Sequence, residues 1–300
     1  MSFPLIPRGR LIGLSFGTMR SLRRGTGSDV AGSRAYRPGD DVRTIDWAAS
    51  ARLSSARHSD EFIIRERYAD EAPRVLIVCD RRPEMSFFAP PLPWVDKAEA
   101  MRQAALLIME SAAVVSGFVG YLDHADGTPY WVPPRGARRL WEVMEERLPS
   151  REFSAPPDTL ERAFEHLAEH RRSVAAGAFV FCLSDFIPSP PEATWVAARE
   201  NRWDVVPVVI QDPTWEQSFP DVTGIEVPLR DPRTGRSAPV RLRRREAAAR
   251  RRANEDRFAG LLESFAAMDV DPVLLSLSER DRILGCFLEW ADARLARRAA

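Results

Sequence analysis

At 300 residues, 45% of them apolar, the chain can bury a sizeable core as one large domain or two small ones, and a globular protein is expected. Lys and Arg together number 43, as do Asp and Glu, which excludes a global field drawing the chain onto nucleic acid or an anionic membrane. Lys97 is the only lysine, and the abundance of Arg and Ala matches the coding bias of a GC-rich genome, so arginine content alone is no binding signal.

The first 72 residues hold many Gly, Ser and Arg and little helical period. They are expected to form a separate lobe, or an arm packed on the sheet of a second unit spanning 73–300. Residues 1–20 contain no apolar stretch of signal-peptide length, and no later run reaches the roughly 18 apolar residues of a spanning helix. A soluble, cytoplasmic protein is therefore expected. Within the arm, the run from Arg34 to Arg57 mixes charged and aromatic residues, and Pro38-Gly39 fits the centre of a type II turn.

From Arg74 to Asp80 the sequence RVLIVCD is continuously apolar and β-branched and ends in a carboxylate, which predicts a strand buried on both faces of a parallel sheet. About Pro93 to Gly117 an apolar face at helical spacing, with Asp96 and Glu99 in the first turn, predicts the crossover helix. Further strands are expected at Phe118–Leu122, Ala178–Leu183, Val205–Ile210 and Pro272–Leu277, with a short edge strand at Tyr130–Val132. Helices are expected at about 138–148, 158–170, 192–201, 246–268 and 279–296. Such alternation predicts a doubly wound, mostly parallel α/β sheet, here with a β-hairpin inserted at about 222–243. Cys79 and Cys182 sit inside apolar runs as small core hydrophobes, and with Cys286 they make an odd number, which suits a reducing compartment.

The segment RAYRPGDDVRTIDWAASAR closely resembles the signature of the bacterial domain of unknown function 58 family. The matching positions are Arg34, Tyr36, Gly39, Asp40, Arg43, Ile45, Asp46, Trp47, Ser50, Ala51 and Arg52. The resemblance continues through RVLIVCD, DKAEAMRQAA and FCLSDF, over roughly residues 28–295. It implies a von Willebrand factor A-type fold, pairing with AAA+ ATPases of the MoxR type, and a role in assembling or maturing other proteins. The segment itself has two compatible readings: an ion-paired seam that holds the arm on the sheet, and a surface for a partner. Residues 34–57 are expected to pack against the α/β core.

In open α/β sheets ligands bind beyond the carboxyl ends of the strands where strand order reverses, and Asp80 and Asp185 are expected to point there. Metal-binding members of the implied fold hold a hard cation with Asp-x-Ser-x-Ser, a Thr and a further Asp. This chain has Asp80-Arg81-Arg82-Pro83-Glu84, with either Asp158 or Thr159 at the threonine position and Asp185 at the last. Arg82, whose planar fork suits carboxylates, is expected to stand where the cation would be. The alternative is that Arg82 turns to solvent and Glu84 supplies a replacement ligand.

Other motifs offer less. Arg241, Arg243, Arg244, Arg245, Arg250, Arg251 and Arg252 read as a solvated helix face before they read as a nucleic-acid or lipid patch. His166 and His170 share a helix face at i, i+4, but no Glu follows His166 directly and no third ligand is evident. No nucleophile elbow, phosphate loop or dinucleotide turn is present. The expectation is a binding protein without cofactor or metal, an adaptor of a MoxR-type AAA+ ATPase; the alternative is a magnesium-dependent phosphoester hydrolase using Asp80, Asp185 and Glu84.

Overall fold

The computed structural model describes residues 1–8, 19–37, 40–57, 61–88, 90, 92–135, 140–221, 223–224, 226–231 and 233–299. Strands β1 (Met19–Ala35) and β2 (Ile63–Glu71) pair antiparallel, and helix α1 (Trp47–Arg57) lies between them in sequence. Next come β3 (Arg74–Cys79), α2 (Lys97–Val114), β4 (Phe118–Asp123) and β5 (Tyr130–Arg135). A short α3 (Leu140–Glu142) runs into a π-helical turn at Val143–Arg147 and is followed by α4 (Thr159–Glu169), β6 (Phe179–Ser184), α5 (Glu192–Glu200) and β7 (Asp204–Ile210). Strands β8 (Glu226–Arg230) and β9 (Ser237–Arg241) form the inserted hairpin ahead of α6 (Arg244–Ala267), β10 (Val273–Leu275) and α7 (Arg280–Ala299).

The central sheet has six strands in the order β10-β7-β6-β3-β4-β5, all parallel except the edge strand β5. Alternate residues of each strand face opposite sides, so each strand feeds two cores. On one side Val75, Ile77, Phe179, Phe181, Val206 and Val208 meet α2 and α7; on the other Leu76, Val78, Val180, Cys182, Val205 and Val209 meet α4, α5 and α6. The continuously apolar strands of the sequence are thus buried on both faces, as parallel strands under helices must be. Asp96 caps α2 by accepting from the Glu99 amide at 3.0 Å, which fixes where the crossover helix begins.

The described part of the first 72 residues falls into two groups. Phe3 and Leu5 lie in the α/β core, where Phe3 stacks on Phe287 with centroids 4.4 Å apart. Of residues 40–57, α1 and the turn before it contact β2, and Ser50 and Ser54 bond to residues 61–63 at its start. Helix α1 escaped the sequence reading because WAASARLSSAR has no apolar stripe, and its buried anchor is polar Ser50. That hydroxyl donates to the Asp46 carbonyl at 2.7 Å and accepts from the Ile63 amide at 2.8 Å, tying helix to strand. Pro38 and Gly39, with the turn expected there, lie outside the described residues, as do the first residues of the helix expected at 138–148. No helix among the described residues is long and apolar enough to cross a membrane.

Candidate functional site

Strand β3 sends its chain to β4 on one side and, after β5, to β6 on the other, so the order reverses between β3 and β6. Asp80 follows β3 and Asp185 follows β6, and both are buried at that point. Asp80 Oδ1 accepts from the backbone amide of Arg82 at 2.9 Å, a local Asx turn that folds the arginine back over its neighbour's carboxylate. Pro83 then starts a 3-10 turn that carries the chain away.

The guanidinium of Arg82 fills the space between the two carboxylates. Its Nη2 lies 2.5 Å from Asp80 Oδ2 and 2.7 Å from Asp185 Oδ1, its Nε donates to Asp80 at 2.9 Å, and its Nη1 donates to the Ile187 carbonyl at 2.7 Å. Ser184 Oγ donates to Asp80 Oδ2 at 2.7 Å. On the far side Lys97 Nζ bridges Asp185 Oδ2 and Glu216 Oε1, each at 2.7 Å. The sole lysine of the chain is therefore fully buried, a position lysine takes only when paired. Glu216 Oε2 accepts from the Asp212 amide at 2.9 Å, and the Gln211 side-chain amide donates to the Asp185 carbonyl at 2.6 Å.

Electrostatics follow from this wiring. Burial alone raises Asp185, but Lys97 and Arg82 outweigh it and hold the carboxyl below its ordinary value. Burial would lower Lys97 and Arg82, yet their carboxylate partners keep both above the ordinary range. Glu216 goes the other way: burial outweighs Lys97 and raises it. A second buried network braces the neighbouring strand end, where Arg147 pairs with Asp123 at 2.5 Å, Tyr121 donates to Asp123 at 2.7 Å, and Arg81 donates to the Ser150 and Arg147 carbonyls at 2.7 and 2.6 Å. Cys79 beside it is no nucleophile, since burial pushes its thiol up to about 12.

These residues do not fit a divalent cation. Both oxygens of Asp80 and both of Asp185 already accept from nitrogen or hydroxyl donors, and a positive group occupies the gap. Of the positions expected around a metal, the structure brings together Asp80, Arg82 and Asp185. Glu84, expected as the alternative ligand, accepts at Oε1 from Arg233 Nε of the β8–β9 loop at 2.8 Å, while its Oε2 is buried without a hydrogen-bond partner. Asp158 pairs with Arg162 at 2.9 Å on the exposed start of α4, and Thr159 is buried in the first turn of that helix. Lys97, Ser184 and Glu216 were missed; the signal for Lys97 was its uniqueness, whereas Glu216 sits in a loop with no pattern to mark it.

The signature segment separates into builders and exposed residues. Arg34 grips Asp40 with both nitrogens of its fork at 2.8 and 2.7 Å, and Asp40, held low chiefly by that bond, also accepts from the Arg37 amide at 2.7 Å. Asp41 accepts from the Arg43 amide at 2.9 Å, and Asp46 caps α1 through the Ala49 amide at 3.1 Å. In contrast, Trp47 is 64%, Val42 59% and Phe62 44% exposed. Phe62 stands edge-on between Trp47 and Tyr36, with centroids 6.0 and 6.5 Å away. Arg43 is exposed nearby in sequence, and exposed Arg52 extends along α1 to the Ala48 carbonyl. Gly39 lies outside the described residues. The arginines from Arg241 to Arg252 are mostly exposed around the start of α6.

Fold and site together define an α/β protein whose switch-point crevice is closed by its own ion pairs. The chain belongs to the family described as proteins of unknown function DUF58, whose family model matches residues 32–258. It is similar to the uncharacterized proteins Mb1516 of Mycobacterium bovis and Rv1480 of Mycobacterium tuberculosis, 34% identical to each over 83 residues. The match covers 28% of this chain and only 24% of those relatives. Among solved structures, an aerotolerance-related membrane protein from Bacteroides fragilis superposes with a TM-score of 0.44 at 14% identity, over 73% of this chain and 99% of that one.

Proposed function

We propose that this protein is a non-enzymatic interaction module of von Willebrand factor A type with a degenerate metal site, acting as an adaptor or co-chaperone-like partner of a MoxR-type AAA+ ATPase. The observation that carries the reading is the exposed Trp47–Phe62 pair, held up by a scaffold of hydrogen bonds. Scattered exposed apolar residues mean little, but a grouped aromatic surface has the composition of an interface hot spot. Arg43 and Arg52, exposed within five residues of Trp47 in sequence, would suit an acidic surface on the partner.

The hydrolase reading loses support because each crevice carboxylate oxygen has a donor and Glu84 pairs with Arg233. Nucleic-acid binding through Arg241–Arg252 is disfavoured by zero net charge. The free thiols Cys79, Cys182 and Cys286 fit a reducing, cytoplasmic setting.

The test is co-purification of the full chain with the AAA+ ATPase of the same cell, comparing Trp47→Ala, Arg43→Ala and the parent. Loss of binding in folded Trp47→Ala is expected, at about 2 kcal/mol or more for a central hot spot. Equal binding by folded Trp47→Ala and Arg43→Ala would make the signature a scaffold only.

A further inference from the structure

The C-terminal end of α4 carries a group of side chains that the crevice does not use. His166 and His170 lie one turn apart, their rings stacked with centroids 4.2 Å apart and planes 23° from parallel. Trp131 of β5 packs against both, at 5.3 and 5.7 Å. Glu169 completes the group: one ligand atom each from His166, Glu169 and His170 lies within 4.8 Å of the others.

Two features point these groups toward a ligand. His170 Nδ1 lies 2.8 Å from the His166 carbonyl, so Nδ1 is the donor and Nε2 keeps its lone pair, the arrangement in which a backbone oxygen orients a metal-binding imidazole. His166 Nε2 is buried without a hydrogen-bond partner, although a buried ring nitrogen normally finds one. The negative end of the helix dipole also favours a cation here.

We propose that His166, Glu169 and His170 form a binding site for a transition-metal ion of the zinc class, with two imidazole nitrogens and one carboxylate oxygen as ligands and a fourth position left to water. Imidazole selects zinc, nickel or copper over magnesium, which demands oxygen. Tetrahedral bonds of roughly 2.0–2.2 Å place ligand atoms ~3.4 Å apart, so the three side chains, whose ligand atoms lie within 4.8 Å, draw together and the two stacked rings swing apart for both to aim at one ion. The sequence alone hid the third ligand, because Glu169 follows the helix register rather than a recognised metal motif.

The experiment is calorimetric titration of the full chain with zinc chloride, with melting temperature followed in parallel. The variants are His170→Ala, Glu169→Gln and, as a check on thiol binding, Cys286→Ser. The parent and Cys286→Ser are expected to bind one zinc saturably and to melt higher as zinc rises, by mass action. His170→Ala should weaken binding by at least roughly tenfold and Glu169→Gln by less, with both folded in the absence of metal. The proposal is overturned by an absence of saturable binding, by binding unchanged in His170→Ala, or by binding lost in Cys286→Ser.

Discussion

The crevice and the signature lobe are both built from Asp–Arg pairs beside aromatic rings, yet water reaches one and not the other. In the crevice Arg82 and Asp80 are 2% and 0% exposed; in the lobe Arg34 and Asp40 are 33% and 19% exposed. Burial decides what each pair can do. A dry pair must be complete, because a lone charge left behind has no water to turn to, whereas a wetted pair contributes little and can be altered without losing the fold. The crevice thus spends its polar groups on one another, while the lobe fixes its backbone with them and leaves aromatic surface free.

The largest effect expected from this contrast is on stability. Arg82→Ala leaves Asp80 and Asp185 facing each other and should destabilise the fold by about 3–5 kcal/mol, read by denaturant unfolding. Arg82→Met combined with Asp80→Asn should cost less than Arg82→Ala alone, since no unpaired charge remains. A double variant as unstable as the single one would mean that packing, not charge, makes Arg82 necessary.

A second, smaller effect is a pH dependence centred on Glu216. Its folded value is raised, so the stability it contributes is present below its ordinary value and is lost as pH rises through the folded one. Asp185, held low, has the opposite sign: its contribution is present at neutral pH and lost as acid titrates it. Glu216→Gln keeps an acceptor for Lys97 but removes the first slope. Its melting temperature relative to the parent should therefore climb between about pH 4 and pH 8. A constant offset across that range would contradict the burial-driven shift.

The smallest expected effect on stability belongs to the lobe. Trp47→Ala should stay within about 0.5 kcal/mol of the parent, because an exposed ring gives up little burial. Asp46→Ala, by contrast, removes a helix cap and should cost about 1 kcal/mol. Thermal melts of the two variants check this order; a reversed order would mean that Trp47 supports the fold.

The same contrast explains what the sequence made legible. The parallel strands were readable because burial on both faces demands continuous apolar runs such as RVLIVC and FVFCLS. The pairing of Asp80, Arg82 and Asp185 was readable because strand ends converge at the reversal of strand order and an arginine stands two residues beyond the first carboxylate. Glu216 was not, because it arrives from a loop 119 residues from its partner Lys97, and no local period records such a contact. Helix α1 was hidden for a different reason: it is held by caps and by Ser50 rather than by an apolar face.

The central claim, that the Arg82 guanidinium fills the space between Asp80 and Asp185 and leaves no room for a cation, is tested most directly by calorimetric titration with magnesium and manganese. It should be done on the full chain carrying His170→Ala, so that the α4 site does not contribute. The account predicts no saturable heat and no change in melting temperature with either ion or with EDTA. Saturable binding that disappears in Asp80→Ala would show that the crevice opens to a cation and that Arg82 does not hold its place.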